Sequence, residues 1–521
     1  MAETPNIVQW IKAAAPGGRL VSDSRRVRGG DVFFAYPGEA ADGRRFIRSA
    51  IENGAAAVVF DDRDFAWESD AQAFDKTLDV PHLAARDLKK NAGPIAHAVY
   101  GAPDAAMFTI GVTGTNGKTS CALWTAQALA HLNETTAVIG TLGVGLVRGR
   151  AEPEFDVTGY TTPDAVLLAS ELARLRDAGA TSLAIEVSSI GLVEHRTAGM
   201  HFDVAVFTNL TRDHLDYHGD MAAYEAAKRQ LFDWPGLKTA VVNLDDEAGV
   251  RIARHLRSAR PDVAVLGYTL RAVHKGGQMR PELDGVAVLR ASSLRSRPNG
   301  SEFHIESPYG SAVARTHMVG HFNASNVLAV LGALLAKGVD LRAALDAVEA
   351  LVPAPGRMQQ LGGQDTPMVV IDYAHTPDAL EKTLEALRQV AQERGGQLWC
   401  VFGCGGDRDP GKRPQMGRIA QMAEHVLVTS DNPRSEEPRA IIEQIVAGMD
   451  PHHPASTHQA IEDRAAAILS AVKHAARPDV ILLAGKGHEP YQEIKGRKIP
   501  FSDADHAALA LTARLTMMRT V

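Results

Sequence analysis

Cysteine is nearly missing from this chain, with three in 521 residues. Cys121, Cys400 and Cys404 are odd in number and have no CxxC spacing, which excludes a disulfide framework and a zinc knuckle and fits a reducing compartment. A surplus of positive charge is missing too. Lys and Arg number 55 against 62 Asp and Glu, for a net charge of -7. No global basic field exists to hold a phosphodiester backbone, so nucleic acid is not expected as a partner. Long apolar runs are also lacking. The longest, VLAVLGALLA at Val327 to Ala336, is too short to span a bilayer, and the opening MAETPNIVQWIKAAAP has no signal-peptide core. A cytoplasmic protein that is not membrane-embedded is expected. Internal repeats and low-complexity tracts are absent as well, so domain boundaries must come from changes in element pattern.

What is present is ordinary globular composition, 45% hydrophobic and 22% charged. The chain is too long for one core, and a prior of roughly 150 residues per domain suggests about three. Up to about Pro103, short strand-like runs (DVFFAYPG, AAAVVF) mix with helical ones, and GAPDAA reads as a linker. From Met107 a long alternation begins, with strands MFTIGVT, TSLAIEVSS, FDVAVFTNL, LKTAVVNLD and DVAVLGY. A polar segment to about Gly310 and the helix NVLAVLGALLAKG follow, and together they read as a parallel α/β domain. After PAPGRM, strands PMVVIDY, LWCVFG, HVLVTS and DVILLAG alternate with helical stretches in a Rossmann-type pattern. Each of these four strands runs into a polar loop: DYAHTPDAL, GCGGDRDPGKRP, SDNPRSEEP and AGKGHEPY. Ligands of open α/β sheets sit at the carboxyl ends of strands, so one binding mouth lined by four loops is expected.

The loop GVTGTNGKTS, Gly111 to Ser120, follows a strand and opens a helix. Successive backbone N–H groups at such a helix start surround phosphate oxygens, while Lys and Ser/Thr reach the terminal phosphates and Mg2+. Strict GxxxxGK[ST] spacing would need glycine at Val112, so this is a variant of that loop. No NKxD guanine-reading segment follows, which favours ATP over GTP. Glu186 ends the strand in AIEVSS and His214 lies in TNLTRDHLDYHG beyond another strand. Both would project to the phosphate end, where a carboxylate and an imidazole can share a metal. Lys228, in YEAAKRQLF, reads by itself as a helix-surface lysine.

Taken in order, TGTNGKT, EVSS, TNLTRDHLDYHG, YEAAKRQLF, GHFNASN, GRM, DYAHTPDAL, GCGGDRD, DNPR and GKGHE resemble the motif set of the Mur ligases of peptidoglycan synthesis. The match spans nearly the whole chain, and DSRRVRGGDVFFAYPG, Asp23 to Gly38, carries it into the first domain, where the family binds a UDP-sugar. Within the family the set looks like that of the branch that adds meso-diaminopimelate to UDP-N-acetylmuramoyl-L-alanyl-D-glutamate. The resemblance implies an α/β protein of three domains. These are an N-terminal UDP-sugar-binding domain (1–105), a central P-loop ATPase with a parallel sheet (106–351) and a C-terminal Rossmann-like domain that brings the amino acid (352–521). It implies ATP as co-substrate, Mg2+, an acyl-phosphate intermediate and closure of the third domain onto the second; action as a monomer is expected, though the sequence itself does not give the oligomeric state.

Carried over residue by residue, Gly114, Thr115, Asn116, Gly117, Lys118 and Thr119 match the phosphate cradle. Thr119, Glu186 and His214 match metal-binding positions, and Lys228 matches the family's carbamylated lysine, a cation turned into an anion beside a metal. Lys118, Glu186, His214 and Lys228 are thus the expected catalytic set. Asn323, Arg357 and Asp372 fall in adenine-nucleotide segments, with His375 in the same DYAHTP loop. Ser24 matches a uridine contact, and Thr161, Thr162, Ser188, Glu194 and Arg196 match positions that hold the muramoyl-dipeptide. Arg408, Asp431, Asn432, Arg434, Gly485 and Glu489 match the diaminopimelate site. One departure stands out: the family's EVSSHxLxQxR reads EVSSIGLVEHR, with Ile190 for His and Glu194 for Gln. An anion at 194 is unhelpful to an acidic ligand unless Arg196 or His195 offsets it. A folylpolyglutamate-synthetase-like ligase would share the architecture but is not expected to carry DNPR with GKGHE. A nucleotide-dependent binding protein could dispense with Glu186, His214 and Lys228.

Overall fold

Three apolar runs without polar alternation, Phe108–Thr113, Ser182–Glu186 and Val204–Phe207, lie side by side in the middle of the largest sheet. Continuous apolar strands are those buried on both faces. The computed structural model describes residues 4–38, 41–67, 80–149, 153–270, 285–297 and 300–519, and three α/β units follow one another along the chain. The first holds a four-stranded parallel sheet in sequence order, from Leu20–Val21 to His82–Ala85. The second holds eleven strands, of which the seven central ones run parallel. The third has six, five parallel and one antiparallel edge, Gln359–Gly362.

Helices cover both faces of the central sheet. Lys118–His131 and His321–Ala336 pack with Ile110, Val112, Val204 and Val206 on one face, while Phe202, Phe207 and Phe232 fill the other. The units interlock at their borders. Helix Ala165–Asp177 lends Val166 and Ala169 to the core of the N-terminal unit. GAPDAA, expected to be a linker, is anchored: Asp104 is 2% exposed and accepts from His201 N (2.7 Å) while its carboxylate meets the His97 and His201 rings.

The expected polar segment before Gly310 needs correction. Residues 271–284 and 298–299 lie outside the described residues, but Ala287–Arg297, Gly300–Ser307 and Gly310–Thr316 are strands that extend the sheet through two antiparallel hairpin pairings. Ser293, Arg295, Glu306 and Ser311 stand on an exposed face, while alternate apolar residues such as Leu289, Phe303 and Ile305 enter the core. An apolar run was the wrong signal for such an edge. Among the described residues no helix is long and apolar enough to cross a membrane.

Candidate active site

Strand Phe108–Thr113 ends against the centre of the sheet, and the chain turns through Gly114 and Gly117 into helix Lys118–His131. Both glycines have positive φ, 150° and 87°. A Cβ at Gly114 would lie 1.8 Å from Thr208 Oγ1, and one at Gly117 would lie 2.5 Å from Asn326 Oδ1, so only glycine fits either place. The following segment braces the loop. Thr208 Oγ1 donates to the Asn116 carbonyl (2.6 Å), and Asn209 Oδ1 accepts from Asn116 N (2.9 Å). No side chain caps the helix, an arrangement that leaves its first turn open to an anion. Lys118 Nζ folds back to donate to the Gly114 and Thr115 carbonyls (2.9 and 2.8 Å). Burial lowers its pKa, an arrangement that exchange of those carbonyls for phosphate oxygens would relieve.

Glu186 is 2% exposed at the end of its strand, beside the loop. It accepts from Thr119 Oγ1 (3.0 Å), Thr141 N (2.8 Å) and Thr141 Oγ1 (3.3 Å). Lys228, expected on sequence pattern at a helix surface, is 1% exposed. Its Nζ donates to the Gly114 carbonyl (2.9 Å) and lies 4.2 Å from the centre of the Tyr224 ring. Burial and then Lys118 push its pKa well down, toward the neutral amine. The His214 ring reaches the same Tyr224, at 6.2 Å between centres, and its backbone is left-handed (φ 52°). Among the described residues no three His, Cys, Asp or Glu side chains gather in a ready-made metal site. The donors here are of mixed type, with a hydroxyl, a carboxylate, an imidazole and a lysine.

Two cavities open between the central and C-terminal units. One, of about 610 Å³, is lined by Asn116, Gly117, Asn323, Arg357 and Asp372, which brings the expected nucleotide residues together. Arg357 reaches across: its Nη2 donates to Thr119 Oγ1 (3.2 Å), its guanidinium covers Tyr373 at 4.6 Å, and its buried Nε has no partner. Asn116 Nδ2 meets Asp378 Oδ2 at 3.1 Å, another tie between the units. Burial raises the pKa of Asp372, whose Oδ2 accepts from Met358 N (2.8 Å), and lowers that of His375 to about 4.

The larger cavity, about 990 Å³, is lined from all four C-terminal loops and also by His214 and Thr161. Arg408, Asp431, Asn432, Arg434, Gly485 and Glu489 all face it. Arg434 adopts φ 52°, costly for a residue with a side chain. It is held by Nη1 donating to the Gly406 carbonyl (2.7 Å) and by Nε 3.4 Å from Glu493 Oε2. Glu489 accepts from Asn432 Nδ2 (2.8 Å) and Lys486 Nζ (3.0 Å). Lys486 and Glu493 are contributors that motif reading missed; Lys486 lies inside GKGHE, and being fully buried with a charge is the signal it offers. Hairpin Tyr491–Ile494/Arg497–Pro500, also unforeseen, pins the loop: Gln492 Nε2 donates to the Asp431 carbonyl, and Arg434 N to the Glu493 carbonyl, both at 2.9 Å.

The residues expected around the dipeptide are more dispersed. Thr161 lines the larger cavity and meets Thr141 Oγ1 at 3.1 Å, whereas Thr162, Ser188 and Arg196 form a layer behind it. Thr162 Oγ1 donates to the Glu186 carbonyl (2.8 Å), Ser188 N donates back to Thr162 Oγ1 (3.0 Å), and Arg196 Nη1 donates to the Thr162 carbonyl (3.1 Å). Ser24 is buried at the start of a 3-10 turn of the N-terminal unit. Glu194 is paired with Lys89 and accepts from Tyr217, and the charge of Arg196, one of the two neighbours suggested by sequence proximity, also favours its ionised form.

A phosphate-type loop, a buried carboxylate beside it and a second cavity at a third unit fit an ATP-using ligase, and the chain belongs to the Mur ligase family. Family models match in three segments: the Mur ligase family catalytic domain at 19–100, the Mur ligase middle domain at 112–334 and the Mur ligase glutamate ligase domain at 356–487. More particularly, it is 60% identical over 98% of its length to the UDP-N-acetylmuramoyl-L-alanyl-D-glutamate--2,6-diaminopimelate ligase of Janthinobacterium sp. (strain Marseille), 97% of which is covered. A solved structure of a ligase with that description is 35% identical, with 95% of each chain covered and a TM-score of 0.63. The MurF ligase of Thermotoga maritima, solved in complex with ADP, is 17% identical with a TM-score of 0.62, a likeness of fold alone over 96% of this chain and 98% of that one.

Proposed function

We propose that this chain joins meso-diaminopimelate to UDP-N-acetylmuramoyl-L-alanyl-D-glutamate, driven by ATP, in peptidoglycan synthesis. The observation that carries the reading is the pair of adjoining cavities, one at the phosphate loop and one presenting Arg434 and Glu489 beside His214. A glutamyl carboxylate attacks the γ-phosphorus of ATP, ADP leaves with the bridging oxygen, and an acyl phosphate results. The amine of diaminopimelate then attacks the acyl carbon, loses its proton, and phosphate departs. The loop from Gly114 to Thr119 holds the phosphates through backbone N–H groups, and Lys118 Nζ exchanges its carbonyl partners for γ-phosphate oxygens. Asn323, Arg357 and Asp372 hold the nucleoside. Contacts of Arg357 and Asp378 with the phosphate loop close the C-terminal unit over it and keep water from the acyl phosphate.

Mg2+ favours oxygen donors, and the Glu186 carboxylate and Thr119 hydroxyl supply them. An ammonium at Lys228 would oppose a cation, but its low pKa favours the neutral amine that adds carbon dioxide, and the carbamate is an oxygen ligand. With His214 these residues would hold the ion, which when bound neutralises phosphate charge so that two anions can meet. Arg434 receives the distal carboxylate of diaminopimelate, a bidentate match to guanidinium, and Glu489 pairs with the distal ammonium. Action as a monomer in the cytoplasm, where ATP and UDP-linked precursors are available, completes the reading.

The test is phosphate release from ATP with UDP-N-acetylmuramoyl-L-alanyl-D-glutamate and meso-diaminopimelate, L-lysine or no acceptor. Turnover that requires meso-diaminopimelate is expected. Equal use of L-lysine would overturn the amino-acid assignment, and release independent of acceptor would overturn the ligase reading.

A further inference from the structure

Glu194 is one of two residues, with Ile190, at which this segment departs from the pattern it resembles, and its surroundings explain how an anion is tolerated. The side chain is 13% exposed at the end of helix Ser189–Val193. Lys89, from helix Leu88–Val99 in the N-terminal unit, forms an ion pair with it. Tyr217 Oη donates to Glu194 Oε1 at 2.7 Å. These contacts hold the Glu194 carboxyl below its ordinary pKa although burial opposes ionisation. Tyr217 lines the 990 Å³ cavity and Glu194 does not. Tyr217 also belongs to the short helix Leu215–His218, which His214 caps from its N-terminal side. Three segments distant in sequence thus form one chain of contacts, from the N-terminal unit to the cavity wall.

We propose that Lys89 is a positioning residue for the ligase reaction. Through Glu194 it fixes Tyr217, and with it the segment carrying His214, against the wall of the larger cavity where Thr161, expected at the dipeptide, faces the amino-acid loops. This rests on the function proposed above and adds to it a coupling between the N-terminal unit and the reaction cavity. The charge logic is specific. A half-buried carboxylate deprived of its cation must protonate or turn toward water, and turning removes the acceptor of Tyr217. A glutamine in the same place would keep an acceptor for Tyr217 without any need of Lys89. Lys89, with help from the Arg196 charge, therefore compensates for the exchange at 194.

The experiment uses the full-length enzyme and reads the KM for UDP-N-acetylmuramoyl-L-alanyl-D-glutamate beside that for ATP. Lys89→Met should raise the former about fivefold, in keeping with loss of a half-buried pair, and leave the latter within about twofold. Adding Glu194→Gln to Lys89→Met should bring the KM back to that of Glu194→Gln alone, a rescue that a merely structural contact would not show. Tyr217→Phe should match Lys89→Met, with no further loss in the combination. An unchanged KM in Lys89→Met, failed rescue, or a large rise in Glu194→Gln alone would overturn the proposal, the last because it would make Glu194 a direct substrate contact. Amide exchange of Leu215–His218 needs no substrate and separates failure of this coupling from failure of the reaction assignment. Exchange should quicken in Lys89→Met and slow again on adding Glu194→Gln; unchanged exchange overturns the coupling whatever the reaction proves to be.

Discussion

The two ends of the catalytic cleft are built in different ways. At the phosphate end, one strand, one loop and one helix contiguous in sequence carry the cradle, and two glycines are fixed there by contacts that no Cβ could share. At the amino-acid end, four loops and a hairpin meet from separate parts of the chain, and the decisive side chain stands on a left-handed residue held by its neighbours. A phosphate is recognised by backbone groups common to any sequence, so a short motif suffices. An amino acid is recognised by side chains placed from several directions, so the site needs supports that recognise nothing themselves.

If the phosphate end depends on one concentrated motif, Lys118→Ala should have the largest effect of all. On the function proposed, the substitution deletes the cation that would meet the transferred phosphoryl group, so turnover should fall by several powers of ten, on the order of what removing a transition-state charge costs. The side chain is only part-buried and bonds to two loop carbonyls, so thermal unfolding should move little. Phosphate release and a melting curve on the same preparation check both halves. Retained turnover with normal ATP affinity would break the contrast between the two ends.

The same contrast explains what could be read from residues alone. TGTNGKT was legible because strand, loop and helix occur in one run, and the four-loop mouth was legible because each loop follows an apolar strand. Lys228 looked like a surface residue because its helix pattern is silent about the Gly114 carbonyl 114 positions away, and only the resemblance pointed to its place. Lys89 and Arg357 act across unit borders, and no periodicity reports which residue of another unit they will meet. The strands Ala287–Arg297 and Thr457–Ala460 escaped because they lie toward or at sheet edges and carry polar outer faces.

A second test concerns the amino-acid end itself. Arg434 gives Nη1 to the Gly406 carbonyl and Nε to Glu493, which orients its remaining edge, and a lysine cannot reproduce that planar fork. Arg434→Ala or Arg434→Lys should lose ~2 kcal/mol of charge-assisted hydrogen bonding, a rise of roughly 30-fold in the KM for diaminopimelate. The KM for ATP should hardly change, because the nucleotide cavity does not include Arg434. An equal rise in both would mean that the two ends are not separable.

The smallest effect expected comes from a support that touches no substrate. Gln492 donates through its side chain to the Asp431 carbonyl at 2.9 Å, while three other ties from the same hairpin use backbone groups: Glu493 N to Asn432 Oδ1 (2.9 Å), Arg434 N to the Glu493 carbonyl (2.9 Å) and Lys495 N to the Arg434 carbonyl (2.6 Å). Gln492→Ala therefore removes one neutral bond of four and leaves the others in place. One such bond contributes about 1 kcal/mol, so the KM for diaminopimelate should rise about fivefold at most, with the KM for ATP unchanged. A loss as large as that of Arg434→Ala would show that Gln492 meets the ligand or that the hairpin ties act as a unit. No loss at all would show that the remaining backbone ties, with the contacts of the Arg434 side chain to Gly406 and Glu493, suffice to hold Arg434 in its left-handed conformation, so that the supports of the amino-acid end are redundant where the phosphate loop has none to spare.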